Sequence, residues 1–217
     1  MPSPRACLVA SMMLVALPFA PGALAQPAAD PWTACERAIT AAERGSGLPP
    51  GLLRAIAQVE SGRARPGGGT ASWPFALNAA GQSLFPDNRQ AAIETVLGLR
   101  AQGVASIDVG CMQINLVHHP EAFPTLEAAF DSPRNVAYAV RFLRELYGRT
   151  GNWGEAIGQY HSGDPGRATA YQARVMAARL SLGGIAMPRV TRGLCAGSRQ
   201  AIVQVGPNRR PRVVCRA

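Results

Sequence analysis

Pro49-Pro50-Gly51-Leu52-Leu53-Arg54-Ala55-Ile56-Ala57-Gln58-Val59-Glu60-Ser61-Gly62 is the stretch on which fold and chemistry both turn. Its apolar positions recur three and four apart, so Leu53, Ile56 and Glu60 share one face of an amphipathic helix. Pro50 suits a first helical turn and Gly62 a stop. The shared face points into the core, and a carboxylate closes it. Burial beside apolar side chains disfavours the charged form of a carboxyl and raises its pKa. A carboxyl that keeps its proton near neutral pH can deliver it to a leaving group. The plainer alternative is a surface glutamate at a frayed helix end.

Working outward, the pattern is mainly helical. Asp30-Pro31 reads as a cap and first residue of a helix running to about Arg44, before Gly45 and Gly47. Between Arg63 and Phe85 the character changes: Pro66-Gly67-Gly68-Gly69 reads as a flexible loop, and Trp73 to Phe85 as a short hairpin turning at Ala79-Ala80-Gly81. Asp87 or Asn88 caps a helix over 89–102 whose apolar face is Ile93, Val96, Leu97 and Arg100. A short helix is expected after Gly110, through His118. Ser132-Pro133 caps a helix to about Tyr147, with Val136, Val140, Leu143 and Tyr147 buried. Asn152 and Glu155 resemble a capping box for the helix bearing Tyr160. A last helix is expected from about Ala168 to Leu182. From Pro188 onward Ala201–Val205 and Arg212–Val214 read as a hairpin, in a tail with arginines and no acids.

Three segments carry a resemblance. Glu60-Ser61, then Gly110-Cys111-Met112-Gln113-Ile114-Asn115, then Ala156-Ile157-Gly158-Gln159-Tyr160-His161-Ser162-Gly163 resemble, in order, the Glu-Ser, Gly-Leu-Met-Gln and Ala-Tyr-Asn-Ala-Gly signatures of SLT-type lytic transglycosylases. Asn135 with Ala139–Leu143, and Tyr171 with Val175, resemble the family's later helices. The likeness covers about Cys35 to Leu180. It implies a mainly α, goose-lysozyme-like domain that acts on peptidoglycan glycan strands. An insertion near 64–107 departs from the usual spacing and would lie beside the cleft. Trp73 and Phe75 are sugar-stacking candidates there, although packing of the hairpin onto the core is the favoured reading of both.

The resemblance also implies roles. Glu60 is the acid and then the base, cleaving between N-acetylmuramic acid and N-acetylglucosamine to leave a 1,6-anhydro end. Ser61 orients that carboxylate or the glycan. Met112 and Gln113 line the cleft floor, and Tyr160 hydrogen-bonds near Glu60. His161, standing for the family's asparagine, contributes to substrate binding, and Ser162 stands for its alanine. A hydrolytic lysozyme or chitinase needs a second carboxylate, and Asp108 is the one beside a motif. A wall-binding module without catalysis is the reading of another class.

The first 25 residues read as a signal peptide: Arg5, an apolar run from Leu8 to Phe19, and Ala23-Leu24-Ala25 for cleavage. This leaves a domain at 26–187 and a basic tail at 188–217, in the periplasm or secreted, with no stable membrane insertion. Cys7 is removed; Cys35, Cys111, Cys195 and Cys215 remain. An even count in an exported chain suggests two disulfides, with three connectivities open. Cys111 replaces the family's leucine, and the resemblance favours Cys35–Cys111 with Cys195–Cys215 closing the tail; free buried thiols are the alternative for the first pair. The formal charge is +9, with every basic residue an arginine. That suits an anionic wall polymer, while nucleic acid is disfavoured because no reader motif accompanies the charge. No cofactor is implied. A metal site is not expected, since the histidines and cysteines lack ligand spacing. An envelope-spanning secretion or assembly machine is the partner suggested by family analogy.

Overall fold

The computed structural model describes residues 30–183, together with the backbone of strands at 200–205 and 211–216. These residues form seven helices and three small antiparallel sheets. Helix α1, Pro31–Glu43, starts where Asp30 accepts a hydrogen bond from the Trp32 amide. Helix α2, Leu52–Ser61, begins after the prolines and not on them. Gly51 takes a left-handed φ of 73° at its N-cap, a conformation that suits glycine. The Pro50 carbonyl accepts two hydrogen bonds from the buried Arg179 guanidinium, at 3.0 and 2.8 Å. Leu52, Leu53, Ala55, Ile56 and Ala57 are wholly buried, so the inward stripe is broader than the spacing alone suggested.

The segment after α2 is more strand-rich than its composition implies. Strands β1, Gly62–Ala64, and β2, Thr70–Ser72, pair as a hairpin, and Pro66–Gly69 is its tip instead of a separate loop. Strands β3, Leu77–Ala79, and β4, Gln82–Leu84, turn at Ala80-Gly81 as expected. Trp73 lies before them and is buried, with its indole N–H donating to the Pro86 carbonyl at 2.7 Å. Helix α3, Arg89–Ala101, is capped by Asn88. Its inward face is Ala92, Ile93 and Val96; Leu97 is 53% exposed, one position round from the face the sequence suggested.

Strands β5, Ile107–Val109, and β6, Ile114–Asn115, complete a sheet ordered β4-β3-β5-β6. The helix expected after Gly110 does not form. The chain pairs Val109 with Ile114 across a tight turn instead, and the Asn115 side chain then holds the amides of Val117 and His118.

Helix α4, Leu126–Ala129, leads into α5, Ser132–Thr150. Asp131, not Ser132, caps α5 by accepting from the Arg134 amide. Val136 and Leu143 are buried as expected and Val140 is half-buried, but Tyr147 is exposed and stacks on Trp153 at 4.1 Å. Asn152 caps helix α6, Trp153–His161, through the amides of Gly154 and Glu155. Helix α7, Pro165–Ser181, starts three residues before the expected Ala168 because Asp164 caps it. Strands β7, Gln200–Val205, and β8, Pro211–Arg216, form the expected terminal hairpin. Residues 1–29, the 206–208 turn, Cys195 and the Cys215 side chain fall outside the described residues, and with them the signal peptide and the second disulfide. Among the described residues no helix is long and apolar enough to cross a membrane.

One core lies among α1, α2, α5, α6 and α7, around Leu52, Ile56, Val136, Leu143 and Tyr171. A second lies between the four-stranded sheet and α3, around Leu77, Val96, Ile107 and Phe130. The Gly110–Gln113 turn joins them. Cys111 forms the expected disulfide with Cys35, with Cα atoms 5.7 Å apart. The buried Asn135 amide accepts from the Met112 N–H at 2.9 Å and donates to the Val109 and Ala129 carbonyls at 3.0 and 3.1 Å. A Cβ at Gly110 would meet that amide at 2.5 Å, on a φ of +80°, so only glycine fits.

The bridge closes a loop of 76 residues. We expect the Cys35→Ala/Cys111→Ala double variant to lose about 2–4 kcal/mol of stability, measured by urea denaturation of the full chain. An unchanged midpoint would show that the crosslink adds nothing to the hydrogen bonds already holding the turn.

Candidate active site

A cleft of about 1450 Å³ opens between the end of α2, the four-stranded sheet, and helices α6 and α7. Each wall is set by the local structure just described. The inward stripe of α2 carries Glu60 to the cleft floor, one residue before the helix stops at Ser61. Ser61 is fully buried, and its hydroxyl faces the Cys111 carbonyl at 2.7 Å and the Ala57 carbonyl at 3.1 Å. It fastens the end of α2 to the Gly110–Gln113 turn. Met112 is buried too, so its side chain belongs to the core and not to the cleft floor, and its carbonyl accepts from the Tyr160 hydroxyl at 2.8 Å.

Gln113 does line the cleft. It holds a positive φ of 49°, uncommon for a residue with a side chain. Its amide nitrogen donates to the carbonyls of Ala76, at 3.0 Å, and Gly110, at 2.9 Å, which offsets the strain and anchors the side chain. Tyr160 and His161, at the end of α6, also line the cleft. The His161 ring stacks on Tyr171 at 4.6 Å with the planes 8° apart.

Glu60 faces the cleft but is only partly exposed. Loss of hydration pushes its carboxyl up from 4.5 to about 7. The Tyr171 hydroxyl opposes the rise most, the Asp108 charge adds to it, and the Arg174 charge subtracts. Tyr171 is wholly buried, and its hydroxyl forms no hydrogen bond of ordinary geometry. It nonetheless lies close enough to the Glu60 carboxyl for each to shift the other. A buried hydroxyl without a partner is costly, so we take the Glu60 carboxyl as the group it serves, completed by a small rotation.

Asp108, on β5, lies in the same cleft and accepts from the Asn115 amide at 2.7 Å. Burial raises its pKa as well, with the Asn115 bond opposing. Beyond it the half-buried His119 accepts or donates at Nδ1 to the Tyr138 hydroxyl, at 2.8 Å, and burial lowers its pKa. No group of histidine, cysteine and carboxylate residues among those described is arranged to hold a metal. Trp73 and Phe75 do not line the cleft. Trp73 packs against Trp32 with ring centres 4.6 Å apart and planes tilted by 55°, and Phe75 packs on the second core. The aromatic that reaches the cleft from the insertion is Phe85. A separate groove of about 710 Å³ between α1 and the start of α5 shares no residue with the cleft and contains neither Glu60 nor Asp108.

Of the expected site residues, the structure therefore brings Glu60, Gln113, Tyr160 and His161 to one cleft and places Ser61 and Met112 behind it. The sequence reading gave Tyr171 no role beside Glu60 and singled out neither Arg174 nor Asn115. Tyr171 stood in a recognised pattern with Val175, yet nothing in that spacing says which group its hydroxyl meets.

A protein-family model described as "Transglycosylase SLT domain" matches residues 37–178. No curated protein and no solved structure matches the chain.

The Glu60 shift has a thermodynamic consequence. Between pH 4.5 and about 7 the unfolded chain gives up the Glu60 proton and the folded chain keeps it. Stability is thus lost as pH rises through that window, and the loss is complete above it. We expect Glu60→Gln to be more stable than the parent by about 3 kcal/mol at pH 8, and nearly equal to it at pH 4. Denaturation midpoints that differ by the same amount at both pH values would contradict the shift.

Proposed function

This chain belongs to the transglycosylase SLT domain family, and from that premise we propose that it is a peptidoglycan lytic transglycosylase. It cleaves the β-1,4 bond between N-acetylmuramic acid and N-acetylglucosamine without water and leaves 1,6-anhydro-N-acetylmuramic acid ends. The observation that carries this reading is the Glu60 carboxyl, held at the floor of the cleft with its pKa pushed up to about 7.

Glu60 enters protonated and gives its proton to the glycosidic oxygen as the C1–O bond breaks. The N-acetylglucosamine side leaves as an alcohol. The acetamido group of the muramoyl sugar stabilises the positive charge at C1. Glu60, now a carboxylate, takes the proton of the C6 hydroxyl as that oxygen bonds to C1. The acid is thereby regenerated and no water is consumed. Tyr171 would stabilise the charged intermediate form of Glu60, and its buried position keeps that hydroxyl available to the carboxylate alone. Gln113 commits its amide nitrogen to backbone carbonyls, which leaves its oxygen to accept from a sugar hydroxyl or amide. His161 offers a ring beside the same path.

A hydrolytic reaction is the second reading, because Asp108 shares the cleft and a water-activating carboxylate is what hydrolysis needs. A wall-binding module that keeps the fold without the reaction is the third. On the leading reading the mature unit is a catalytic domain at 26–187 with a basic tail at 188–217. It works in the periplasm or outside the cell after cleavage near Ala25, opening the wall locally for an envelope-spanning machine.

Mass spectrometry of fragments released from purified peptidoglycan by residues 26–217 separates these readings. We expect anhydro-muropeptides, and at least about a 100-fold loss of release in Glu60→Gln. Reducing ends would establish hydrolysis instead, and binding without fragments from either protein would leave the module. The pH profile gives a further check. Because free Glu60 must hold its proton, kcat/KM is expected to fall as pH rises through about 7.

A further inference from the structure

Charge is unevenly distributed around the cleft. The wall made by β2, β3 and β4 offers Thr70, Asn78, Ser83 and the ring of Phe85, with no charged side chain. Such a surface suits neutral sugars, whose polar edges take hydroxyls and amides and whose apolar faces take a ring. A second wall, formed by the end of α6 and by α7, carries Arg167 and Arg174.

Both arginines are exposed. Among the described residues Arg174 has no carboxylate within ion-pairing distance. Its guanidinium lies 5.4 Å from the centre of the Tyr171 ring, the ring that His161 also stacks on. Arg167 has one acidic neighbour, Asp164 at 3.7 Å, through a side chain 73% exposed. An exposed pair of that kind contributes little, and the Asp164 carboxylate already accepts from the Arg167 amide as the cap of α7. After burial, Arg174 and then Arg167 depress the pKa of His161. Both charges therefore act on that one imidazole. Among the described residues, the only acids lining the cleft are Glu60 and Asp108. A neutral glycan gives no use for two exposed guanidiniums beside its path.

Resting on the reading that the substrate is peptidoglycan, the geometry points to a carboxylate subsite in which Arg167 and Arg174 hold the acidic stem peptide while the β wall holds the sugars. The stem peptide hangs from the lactyl group of the muramoyl sugar, and its carboxylates match the planar two-point donor face of a guanidinium. The chain then selects glycan that still carries acidic peptide. The two arginines set specificity, and the Arg174 charge also tempers the rise in the Glu60 pKa.

Removing the peptide enzymatically is an unsuitable test, since it uncovers the lactyl carboxylate. Carbodiimide-driven amidation of the peptide carboxylates in purified sacculi neutralises them in place. Co-sedimentation then reads binding of the Glu60→Gln protein, residues 26–217, to untreated and amidated sacculi. We expect binding to untreated sacculi to be at least about tenfold tighter. Adding Arg167→Gln/Arg174→Gln should abolish that preference. Adding Arg144→Gln/Arg149→Gln, which removes the same charge from the exposed surface of α5, should retain it. Equal binding of Glu60→Gln to both preparations overturns the subsite, as does a preference that survives the cleft double variant. A preference that behaves as expected, with no fragments released by the parent protein, upholds the subsite and overturns the transglycosylase reading instead.

Discussion

The Gly110–Gln113 turn is the point on which the rest of the structure depends. Four elements are fastened to it by different bonds. Helix α1 is held through the Cys35–Cys111 disulfide and α2 through Ser61 on the Cys111 carbonyl. Helix α5 is held through Asn135 on the Met112 amide, and α6 through Tyr160 on the Met112 carbonyl. Each hydrogen bond is worth only about 1 kcal/mol net, but losing a partner leaves a buried backbone group unsatisfied, which costs about 1–3 kcal/mol. The turn is thus hard to move piecemeal. Gly110 permits the close approach of Asn135, and Gln113 accepts an uncommon backbone angle to finish the turn.

That rigidity explains the electrostatics. A carboxyl at a helix end ordinarily swings into water and keeps an ordinary pKa. Here Ser61 pins the last turn of α2 by its hydroxyl, so Glu60 cannot retreat, and Tyr171 closes over it from α7. Desolvation outweighs the opposing effects of the Tyr171 hydroxyl and the Arg174 charge, which places the carboxyl near the pH at which it can both give and take a proton. The same enclosure raises Asp108, on the inner strand β5. The two acids thus share a cleft with two arginines that stand on another wall.

Much of the helical frame was legible because caps leave strong local signals. Asp30-Pro31, Asn88 and Asn152 each mark a helix start, and the three-and-four spacing of apolar residues that ends at Glu60 marks a carboxyl on an inward face. The β segments were harder. Strands of two or three residues, such as Ile114–Asn115, are too short for a period to register, so the stretch after Gly110 read as helix. At Ser132-Pro133 the serine read as the cap, but it is the first helical residue, and Asp131 before it accepts from the Arg134 amide. Site residues divided on the same line. Glu60 announced itself by a local conflict between charge and apolar neighbours. The burial of Ser61 and Met112, and the meeting of Tyr171 with Glu60 from a helix more than a hundred residues away, depend on tertiary packing that no local pattern encodes.

The central claim is that the frame holds Glu60 as an acid that stays protonated to about neutral pH. The most direct test is a titration of that one carboxyl in the folded protein, by carbon-13 NMR with glutamate labelled at Cδ and the Glu60→Gln variant used to assign the signal. The account predicts a midpoint near 7. A midpoint near the ordinary glutamate value of about 4.3 would mean that the carboxyl is solvated in solution, and would contradict the mechanism built on it.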